Sequence, residues 1–375
     1  MDITLPPTLL PTDGRFGCGP SRIRQAQIDA IASSGVMGTS HRQKPVKEVV
    51  ASIRSGLAQL YRLPDGFEVV LGNGGATAFW AVAVASLIRH RSAHAVFGEF
   101  GAKFAQEAAR APHLHTPIIS EAPAGSVALL DYLDTSSGPA PDVLAHPHHE
   151  TSTGALSPIT EATEEGQLLL VDATSIAGGI DVDVSHCDAY YFAPQKCFGS
   201  DGGLWVALVS PAAIERAREL HTASDRWMPQ FLDLSLAVDN SLKDQTLNTP
   251  ALATLVMMEE QIQWMIDSGG LAAMETRSRA ASSILYEWAA ASGGLVTPFV
   301  EQEQWRSPVV VTLDFDQSIN ASTLASVLRA NGVVDVEPYR SLGRNQLRIA
   351  TFPATKVDDV HALITCLDEL ITALS

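Results

Sequence analysis

The chain has 375 residues, of which 46% are hydrophobic and 18% are charged, a balance typical of a soluble globular enzyme. This length is sufficient for two domains, each with its own core. The formal net charge of −17 disfavours nucleic acid or an anionic membrane as a partner but still allows a local basic pocket.

Residues 1–7 contain no basic stretch followed by an apolar segment, so we expect no secretory signal. The longest apolar run, around residues 79–88, is too short to span a membrane. The cysteines have neither paired spacing nor the density of a disulfide framework. We therefore expect reduced thiols in a cytoplasmic protein. These cysteines are Cys18, Cys187, Cys197 and Cys366.

Residues 1–20 are rich in proline and glycine and indicate an N-terminal arm lying on the surface of a larger body. After the arm, short apolar runs alternate with helical stretches. This alternation predicts an α/β fold in which helices cover both faces of a mostly parallel sheet. Ligands of such folds gather at the carboxyl ends of the strands. The predicted strands are residues 68–71, 95–97, 168–172, 189–192 and 204–209, and a helix begins at Ala76.

The second half of the chain begins with a long helical region, from Ala251 to about residue 291, that breaks at Gly269-Gly270. A smaller α+β unit follows, because strand patterns alternate there with amphipathic helices. We expect residues 21–265 to form a large domain and residues 266–375 a small C-terminal domain. The predicted strands of the small domain are residues 309–313 and 347–350, and its helices surround residues 324–328 and 360–371.

Two charged side chains stand at the ends of buried-strand patterns. The apolar run 168–171 ends at Asp172, and the aromatic run 190–193 comes shortly before Lys196. A lysine there costs desolvation energy unless its amine is used or paired. Pyridoxal phosphate needs such a pair, because the lysine forms a Schiff base while the acid keeps the pyridine nitrogen protonated. An ordinary Asp–Lys ion pair at a sheet edge explains the two residues equally well.

A glycine-rich turn, residues 72–77, follows the first strand and opens a helix. Backbone amides at Gly75 and Ala76, with the hydroxyl of Thr77, could hold a phosphate at the positive helix end. The turn lacks the dinucleotide fingerprint, and a plain strand-to-helix turn is as good an explanation. Asn248-Thr249 could likewise donate to a phosphate, although a helix cap is the simpler interpretation.

Cationic side chains form two groups in this acidic chain. Ser40-His41-Arg42 follows a glycine-rich stretch, and arginine suits the binding of carboxylate or phosphate through two parallel hydrogen bonds. Taken alone, this tripeptide is equally typical of a solvated loop. The second group contains Arg340, Arg344 and Arg348. Because Arg348 lies within an apolar strand pattern, we expect it to have a buried anionic partner.

The segment His146-Pro147-His148-His149-Glu150 resembles a metal site by composition only. Its spacing does not place two histidines on one face of a helix, and no second cluster completes a site. We therefore expect no metal.

Taken in order, several motifs are similar to those of phosphoserine aminotransferases, class V members of the fold type I pyridoxal phosphate enzymes. The similarity extends from residue 16 to the last helix. The motifs that carry it are Phe16-Gly17-Cys18-Gly19-Pro20-Ser21, Ser40-His41-Arg42, Glu150-Thr151, Asp172, Gln195-Lys196 and Asn248-Thr249-Pro250.

This resemblance implies a homodimer with shared active sites and pyridoxal phosphate as the cofactor. Lys196 would form the internal aldimine, and Asp172 would pair with the pyridine nitrogen. Phe100 would stack on the cofactor ring, and Thr151 would contact the region of its phenolic oxygen. The residues implied for the cofactor phosphate are Gly75, Ala76, Thr174 and Gln195, with Asn248 and Thr249 from the partner subunit. Those implied for substrate anions are His41, Arg42, Arg340, Arg344 and Arg348.

The implied reaction moves an amino group between glutamate and 3-phosphohydroxypyruvate, giving O-phosphoserine and 2-oxoglutarate for serine biosynthesis. The chain departs from the family pattern at Ala76, where many members have arginine, and at His149, where they have asparagine. The loop between Arg340 and Arg344 also has an altered length, so either arginine could meet the substrate phosphate.

Another class V aminotransferase, of the serine–pyruvate or alanine–glyoxylate type, is the alternative function. Whether 4-phosphohydroxythreonine is also a substrate is left open by the sequence. A nicotinamide-dependent dehydrogenase would share the parallel sheet but needs a dinucleotide fingerprint that the chain lacks.

Overall fold

The computed structural model describes residues 3–159 and 164–374. Residues 1 and 2 of the predicted arm and residue 375 of the predicted small domain lie outside this part of the chain. The strands are β1 (Glu68–Asn73), β2 (Ser92–Val96), β3 (Ile118–Glu121), β4 (Val143–Pro147), β5 (His149–Glu150), β6 (Ala155–Leu156), β7 (Leu168–Asp172), β8 (Ala189–Phe192), β9 (Leu204–Val209), β10 (Val296–Pro298), β11 (Val310–Phe315) and β12 (Gln346–Ala350). The α-helices are α1 (Gln25–Ser33), α2 (Lys44–Leu60), α3 (Ala76–Ser86), α4 (Glu99–Arg110), α5 (Pro211–His221), α6 (Leu234–Ser241), α7 (Leu252–Asp267), α8 (Gly270–Ala291), α9 (Ala321–Ala330) and α10 (Val357–Leu374).

A seven-stranded sheet with the order β1-β9-β8-β7-β4-β2-β3 forms the centre of the larger part of the molecule. Its neighbours from β8 to β3 pair in parallel, whereas β9 is antiparallel to both β1 and β8. Parallel neighbours need crossover connections, which place helices over the faces of the sheet. The carboxyl ends of β4, β7 and β8 consequently meet at one edge.

Two apolar layers enclose this sheet. Helix α2 is amphipathic and turns residues such as Val46, Val50, Ile53 and Leu57 towards the layer that α7 also joins. Helix α3 belongs to the opposite layer and is apolar around nearly its whole circumference, which suits a helix enclosed by its neighbours. Strand β1 lies in the sheet between the two layers, and α3 follows it into the second layer.

The three-stranded antiparallel sheet β10-β11-β12 forms a smaller unit with α8, α9 and α10. Its core includes Leu313, Leu347 and Leu363. Helix α7 ends at Asp267 and α8 begins at Gly270, so the helical region breaks at the predicted glycines. The predicted α/β architecture, with a mostly parallel sheet and a smaller α+β unit, is confirmed. The exact domain limits stay a prediction.

Residues 3–20 pack against the small unit and contribute to its core. The side chains of Leu5 and Phe16 are buried there. The backbone nitrogen of Phe16 donates to the carbonyl of Val334 at 3.2 Å, and that of Ala350 donates to the carbonyl of Phe16 at 3.0 Å. The arm therefore lies along the small unit with Leu5 and Phe16 in its core, while most of its other residues are partly or fully exposed.

All four cysteines are unpaired and buried. In the part of the chain that the structure describes, each helix is too short or too polar to cross a membrane.

Candidate active site

Lys196 follows β8 in a turn, and its side chain is buried. The Nζ atom donates a hydrogen bond to Oγ1 of Thr151 at 3.0 Å. Burial lowers the pKa of Lys196 to about 8, and the Arg348 guanidinium also lowers it, whereas the Cys18 thiol and the Asp172 carboxylate raise it. An amine that is partly unprotonated near neutral pH can act as a nucleophile or a base.

Asp172 is the last residue of β7, and three donors hold its carboxylate. Oδ1 accepts from the backbone nitrogen of Thr174 at 3.0 Å and from its hydroxyl at 2.6 Å. Oδ2 accepts from the indole Nε1 of Trp80 at 3.0 Å. Among the described residues, Asp172 forms no ion pair with Lys196. The simple ion pair that could have explained both residues is therefore not present.

A chain of short hydrogen bonds leads away from Lys196. The hydroxyl of Thr151 donates to Oγ of Ser175 at 2.7 Å, and Ser175 Oγ lies 2.6 Å from Nδ1 of His149. Desolvation lowers the pKa of His149 well below its usual value, and the nearby Lys196 lowers it further, so the imidazole is neutral. This chain fixes the Thr151 hydroxyl beside the lysine amine.

The ring of Phe100 lies near Lys196, with its centroid 5.4 Å from Nζ. Phe100 is in the first turn of α4, which the buried Glu150 caps: Oε2 accepts from the backbone nitrogens of Phe100 at 3.0 Å and Gly101 at 3.2 Å. A Cβ atom on Gly98 would lie 2.1 Å from Cγ of Glu150, so this close approach requires glycine.

A cavity of about 570 Å³ lies beside the segment that covers the lysine, although Lys196 is not itself among its lining residues. The segment from Gly17 to Pro20 forms one wall, and a Cβ atom on Gly19 would lie 2.8 Å from Cε of Lys196. Gly19 also has a φ of +125°, a conformation that favours glycine. The N-terminal arm therefore passes directly over the lysine. The other residues lining the cavity are Glu99, Asp335, Glu337, Pro338, Tyr339, Arg340, Ser341 and Arg348.

The structure brings two of the three predicted C-terminal arginines to this cavity. Arg348 donates to the carbonyl of Thr151 at 2.8 Å, and its guanidinium lies 5.2 Å from the ring centroid of Tyr339. Its buried Nε has no partner, and the described residues supply no carboxylate to Arg348 or Arg340. The buried anion expected for Arg348 is thus not a side chain of the described residues, and both guanidinium groups are available to a ligand.

Arg344 is engaged elsewhere. Its guanidinium forms an ion pair with Asp314 at 2.7 Å and lies 4.8 Å from the ring centroid of Phe299. It lines a separate cavity with these residues. Of the two arginines that the sequence left open, only Arg340 lies in the cavity beside Lys196.

A second group of predicted residues gathers at the end of β1. His41 Nδ1 lies 3.2 Å from Oγ1 of Thr249, and Arg42 donates to the carbonyl of Leu247 at 2.7 Å. Asn73 accepts from the backbone nitrogen of Asn248 and donates to the carbonyl of Thr249. These residues of one chain form a single unit that does not line the Lys196 cavity.

The predicted phosphate residues divide by environment. Gly75 is the N-cap of α3 and has no capping side chain, and open space lies beside it. The backbone amides of Ala76 and Thr77 therefore form a free helix end that favours an anion, whereas the amide of Ala78 donates to the carbonyl of Gly75 at 2.9 Å. Thr77 is exposed, and Gln195 has a buried Oε1 without a partner. Thr174 instead donates its hydroxyl proton to Asp172, so the geometry does not support a phosphate role for that side chain.

The described residues fit pyridoxal phosphate. They supply a buried amine without an ion-pair partner at Lys196, a carboxylate at the next strand end, and an aromatic face at Phe100. The unpartnered polar atoms of Gln195 and His149 are typical of a site completed by a ligand.

Sequence reasoning missed several side chains of this site, namely Trp80, Glu150 as a helix cap, Ser175 and Tyr339. For Trp80 a signal existed: an indole N–H in an otherwise apolar helix needs a buried partner. Nothing in the local sequence predicts the pairing of Ser175 with Thr151, because it depends on how β5 meets the end of β7.

Within residues 3–159 and 164–374, no three His, Cys, Asp or Glu side chains come together as a metal site. His146 and His148 are buried, and desolvation lowers their pKa values to about 4 and about 3.

Residues 22–336 match the family model described as aminotransferase class-V. The chain belongs to the class-V aminotransferase family. It is 52% identical over 375 residues to a putative phosphoserine aminotransferase of Mycolicibacterium vanbaalenii, covering 100% of this chain and 99% of that protein. It is also 53% identical over 373 residues to a phosphoserine aminotransferase of Rhodococcus jostii, with 99% and 98% covered.

Solved structures share this fold. A phosphoserine aminotransferase from Cytophaga hutchinsonii superimposes with a TM-score of 0.83 at 22% identity, covering 96% of this chain and 99% of the other. An alanine–glyoxylate aminotransferase from Nostoc sp. gives a TM-score of 0.81 at 22% identity, with 98% and 97% covered. At these identities the likeness shows the fold and does not separate the two substrate classes.

Proposed function

We propose that this protein is a pyridoxal phosphate-dependent phosphoserine aminotransferase that transfers an amino group between glutamate and 3-phosphohydroxypyruvate, giving O-phosphoserine and 2-oxoglutarate. One observation carries the proposal: the cavity next to the segment that covers the buried Lys196 is lined by two arginines, Arg340 and Arg348, that form no ion pair among the described residues. The names of the relatives at 52% and 53% identity support the same substrate class.

Lys196 would hold the cofactor covalently, Asp172 would face its pyridine nitrogen, and Phe100 would lie against its ring. When bound, pyridoxal phosphate supplies an electron sink for the charge that develops at the substrate α-carbon. Lys196 Nζ, with a pKa of about 8, can take the α-proton and return it. The hydroxyl of Thr151, 3.0 Å from Nζ, orients the amine for this transfer.

Substrate recognition follows from the free cations. Arg348 would bind the substrate α-carboxylate, because its guanidinium is held by the carbonyl of Thr151 and the ring of Tyr339 but has no anionic partner among the described residues. Arg340 would bind the substrate phosphate or the distal carboxylate of glutamate. In a homodimer, the partner subunit's His41 and Arg42 would complete this anion site, and the partner subunit's Asn248 and Thr249 would reach the cofactor phosphate. We propose a cytoplasmic location for this enzyme.

The test is an assay of the purified protein with pyridoxal phosphate, comparing glutamate plus 3-phosphohydroxypyruvate with alanine plus glyoxylate and serine plus pyruvate. We expect the phosphorylated acceptor to be preferred by at least about a hundredfold. An acceptor without a phosphate supplies no dianion to pair with the guanidinium groups of the site. The Lys196→Ala variant is the control for adventitious activity. Preference for alanine and glyoxylate would assign the chain to the alternative class V activity.

A further inference from the structure

Trp80 is a buried residue of α3 that the proposed reaction does not yet use. Its side chain is 3% exposed, and its indole nitrogen donates to Oδ2 of Asp172 at 3.0 Å. An indole N–H is a donor only, and when buried it needs one acceptor. In this structure that acceptor is the carboxylate at the end of β7.

We propose that Trp80 is a positioning residue for the transamination: its N–H holds the Asp172 carboxylate in one orientation and offsets part of its charge. This inference rests on the proposed function, because Asp172 is the group through which Trp80 would act.

The indole cannot easily turn away from Asp172. It stacks on Phe104, with ring centroids 6.0 Å apart and an interplanar angle of 12°. Both rings belong to the apolar layer formed around α3, and a close-packed layer of this kind restricts rotamers. The donor is therefore fixed before any ligand arrives, as preorganised electrostatic groups are.

Helix α3 connects two parts of the proposed cofactor site. Its first residue, Ala76, belongs to the predicted phosphate turn, and Trp80 comes four residues later, which is about 6 Å along the helix axis. One rigid element thus positions the turn proposed to bind the cofactor phosphate and, through Asp172, the carboxylate proposed to face the pyridine nitrogen. A small shift of α3 would change both contacts together.

The indole N–H stabilises the ionised form of the Asp172 carboxylate. Without this hydrogen bond, the negative charge of the Asp172 carboxylate would be less compensated, so neighbouring cationic groups would lose their protons at higher pH. The carboxylate of Asp172 already raises the pKa of Lys196. The other titratable groups around Asp172 in the described residues are Tyr190, Tyr191, His94 and His146, which burial keeps neutral.

Trp80→Phe keeps a buried aromatic ring but removes the donor together with part of the ring volume. Trp205→Phe is the matched control, because Trp205 is another buried tryptophan of the same apolar layer but is not bonded to Asp172. In enzyme loaded with pyridoxal phosphate, we expect Trp80→Phe to lower kcat about tenfold, since a hydrogen bond to a charged group is lost. The KM for glutamate should change little, and the pH midpoint of the cofactor's visible absorbance should move upwards. Trp205→Phe should change neither kcat nor the pH midpoint of the absorbance.

Asp172→Asn tests whether Trp80 acts through the carboxylate. Adding Trp80→Phe to Asp172→Asn should produce no further shift in the absorbance midpoint. Equal effects of Trp80→Phe and Trp205→Phe, or a shift that persists in the Asp172→Asn background, would overturn the proposal.

A second measurement does not depend on activity or on the folding of Trp80→Phe. With ¹⁵N-labelled indoles, six tryptophan N–H resonances are expected, and Asp172→Asn should selectively move one of them. If no indole resonance responds, the hydrogen bond does not exist in solution and the proposal fails. A wild-type protein that shows this contact but does not transaminate would instead contradict the proposed function.

Discussion

The carboxylate of Glu150 closes the first turn of α4, with Oε2 only 3.0 Å from the backbone nitrogen of Phe100. The same carboxylate accepts from the hydroxyl of Ser152 at 2.7 Å. A buried acid on one element thereby places the aromatic ring that faces Lys196. Its role resembles that of an N-cap residue, although it is supplied from a different part of the chain.

Replacing Glu150 by alanine should lower the free energy of unfolding by about 2 kcal/mol and weaken cofactor binding, because buried N–H groups lose a charged acceptor. Urea unfolding and a cofactor titration measure the two effects. Asp233→Ala is the control, since Asp233 caps α6 by accepting from Ser235 and Leu236. It should lower stability and leave cofactor affinity unchanged. Unaltered cofactor affinity in Glu150→Ala would show that the cap does not position Phe100.

The depressed pKa of Lys196 predicts a pH dependence of stability in the cofactor-free protein. Its folded-state value of about 8 lies below the ordinary 10.5. Between these values the unfolded chain binds a proton that the folded protein does not, so stability rises with pH across this window. The gain is at most about 3 kcal/mol. Lys196→Met should lack this pH-dependent gain. The unfolding free energy of the wild type minus that of Lys196→Met should therefore increase from pH 8 to pH 10. A constant difference would contradict the depressed value.

The arginines make separable predictions about substrate binding. Arg340→Ala should reduce kcat/KM for O-phosphoserine by about tenfold to a hundredfold and affect alanine far less, because a hydrogen bond between charged groups contributes about 1.5–3 kcal/mol. Arg344→Ala is the matched control, as its guanidinium pairs with Asp314 instead. It should leave steady-state kinetics unchanged. The opposite pattern would place the phosphate site beside Phe299.

Subunit mixing tests the proposed shared sites. His41 contacts Thr249, and Arg42 donates to the carbonyl of Leu247, so these residues form one unit. A single subunit should therefore supply all of them to the active site of its partner. A Lys196→Ala protein mixed with an Asn248→Ala, Thr249→Ala protein should regain activity, since half of the sites in mixed dimers would be intact. Each parent alone should be inactive. Mixtures that stay as inactive as the parents would mean that each site is built from a single chain.

Much of the fold could be predicted from local patterns. The long apolar runs at 168–172 and 204–209 and the glycine break before Gly270 correspond to β7, β9 and the start of α8. Strand β3 escaped prediction, because it is an edge strand whose residues alternate between buried and exposed positions over only four residues. The burial of Leu5 and Phe16 in the arm escaped prediction too, since it depends on residues more than three hundred positions away.

The residues of the candidate site also differ in how well the sequence predicts them. Lys196 and Asp172 stand out because charges at the ends of apolar strands are rare. Arg340 and Arg344 could not be told apart, because both lie in the segment just before β12 and only the pairing of β11 with β12 brings Asp314 to Arg344. Trp80 and Glu150 act through contacts between elements, which residue spacing does not encode.

The position of the arm has a consequence for synthesis on the ribosome. Leu5 and Phe16 emerge first, yet they pack with Asn331, Val334 and Ala350, which emerge near the end. The central sheet can assemble while translation continues, as domains generally do. The small unit cannot complete its core until almost the whole chain has been made. Gly19, which lies over Lys196, can therefore be held on its N-terminal side only after the small unit has formed, whereas Ser21 on its other side bonds to Gln195 and Lys196 of the large unit.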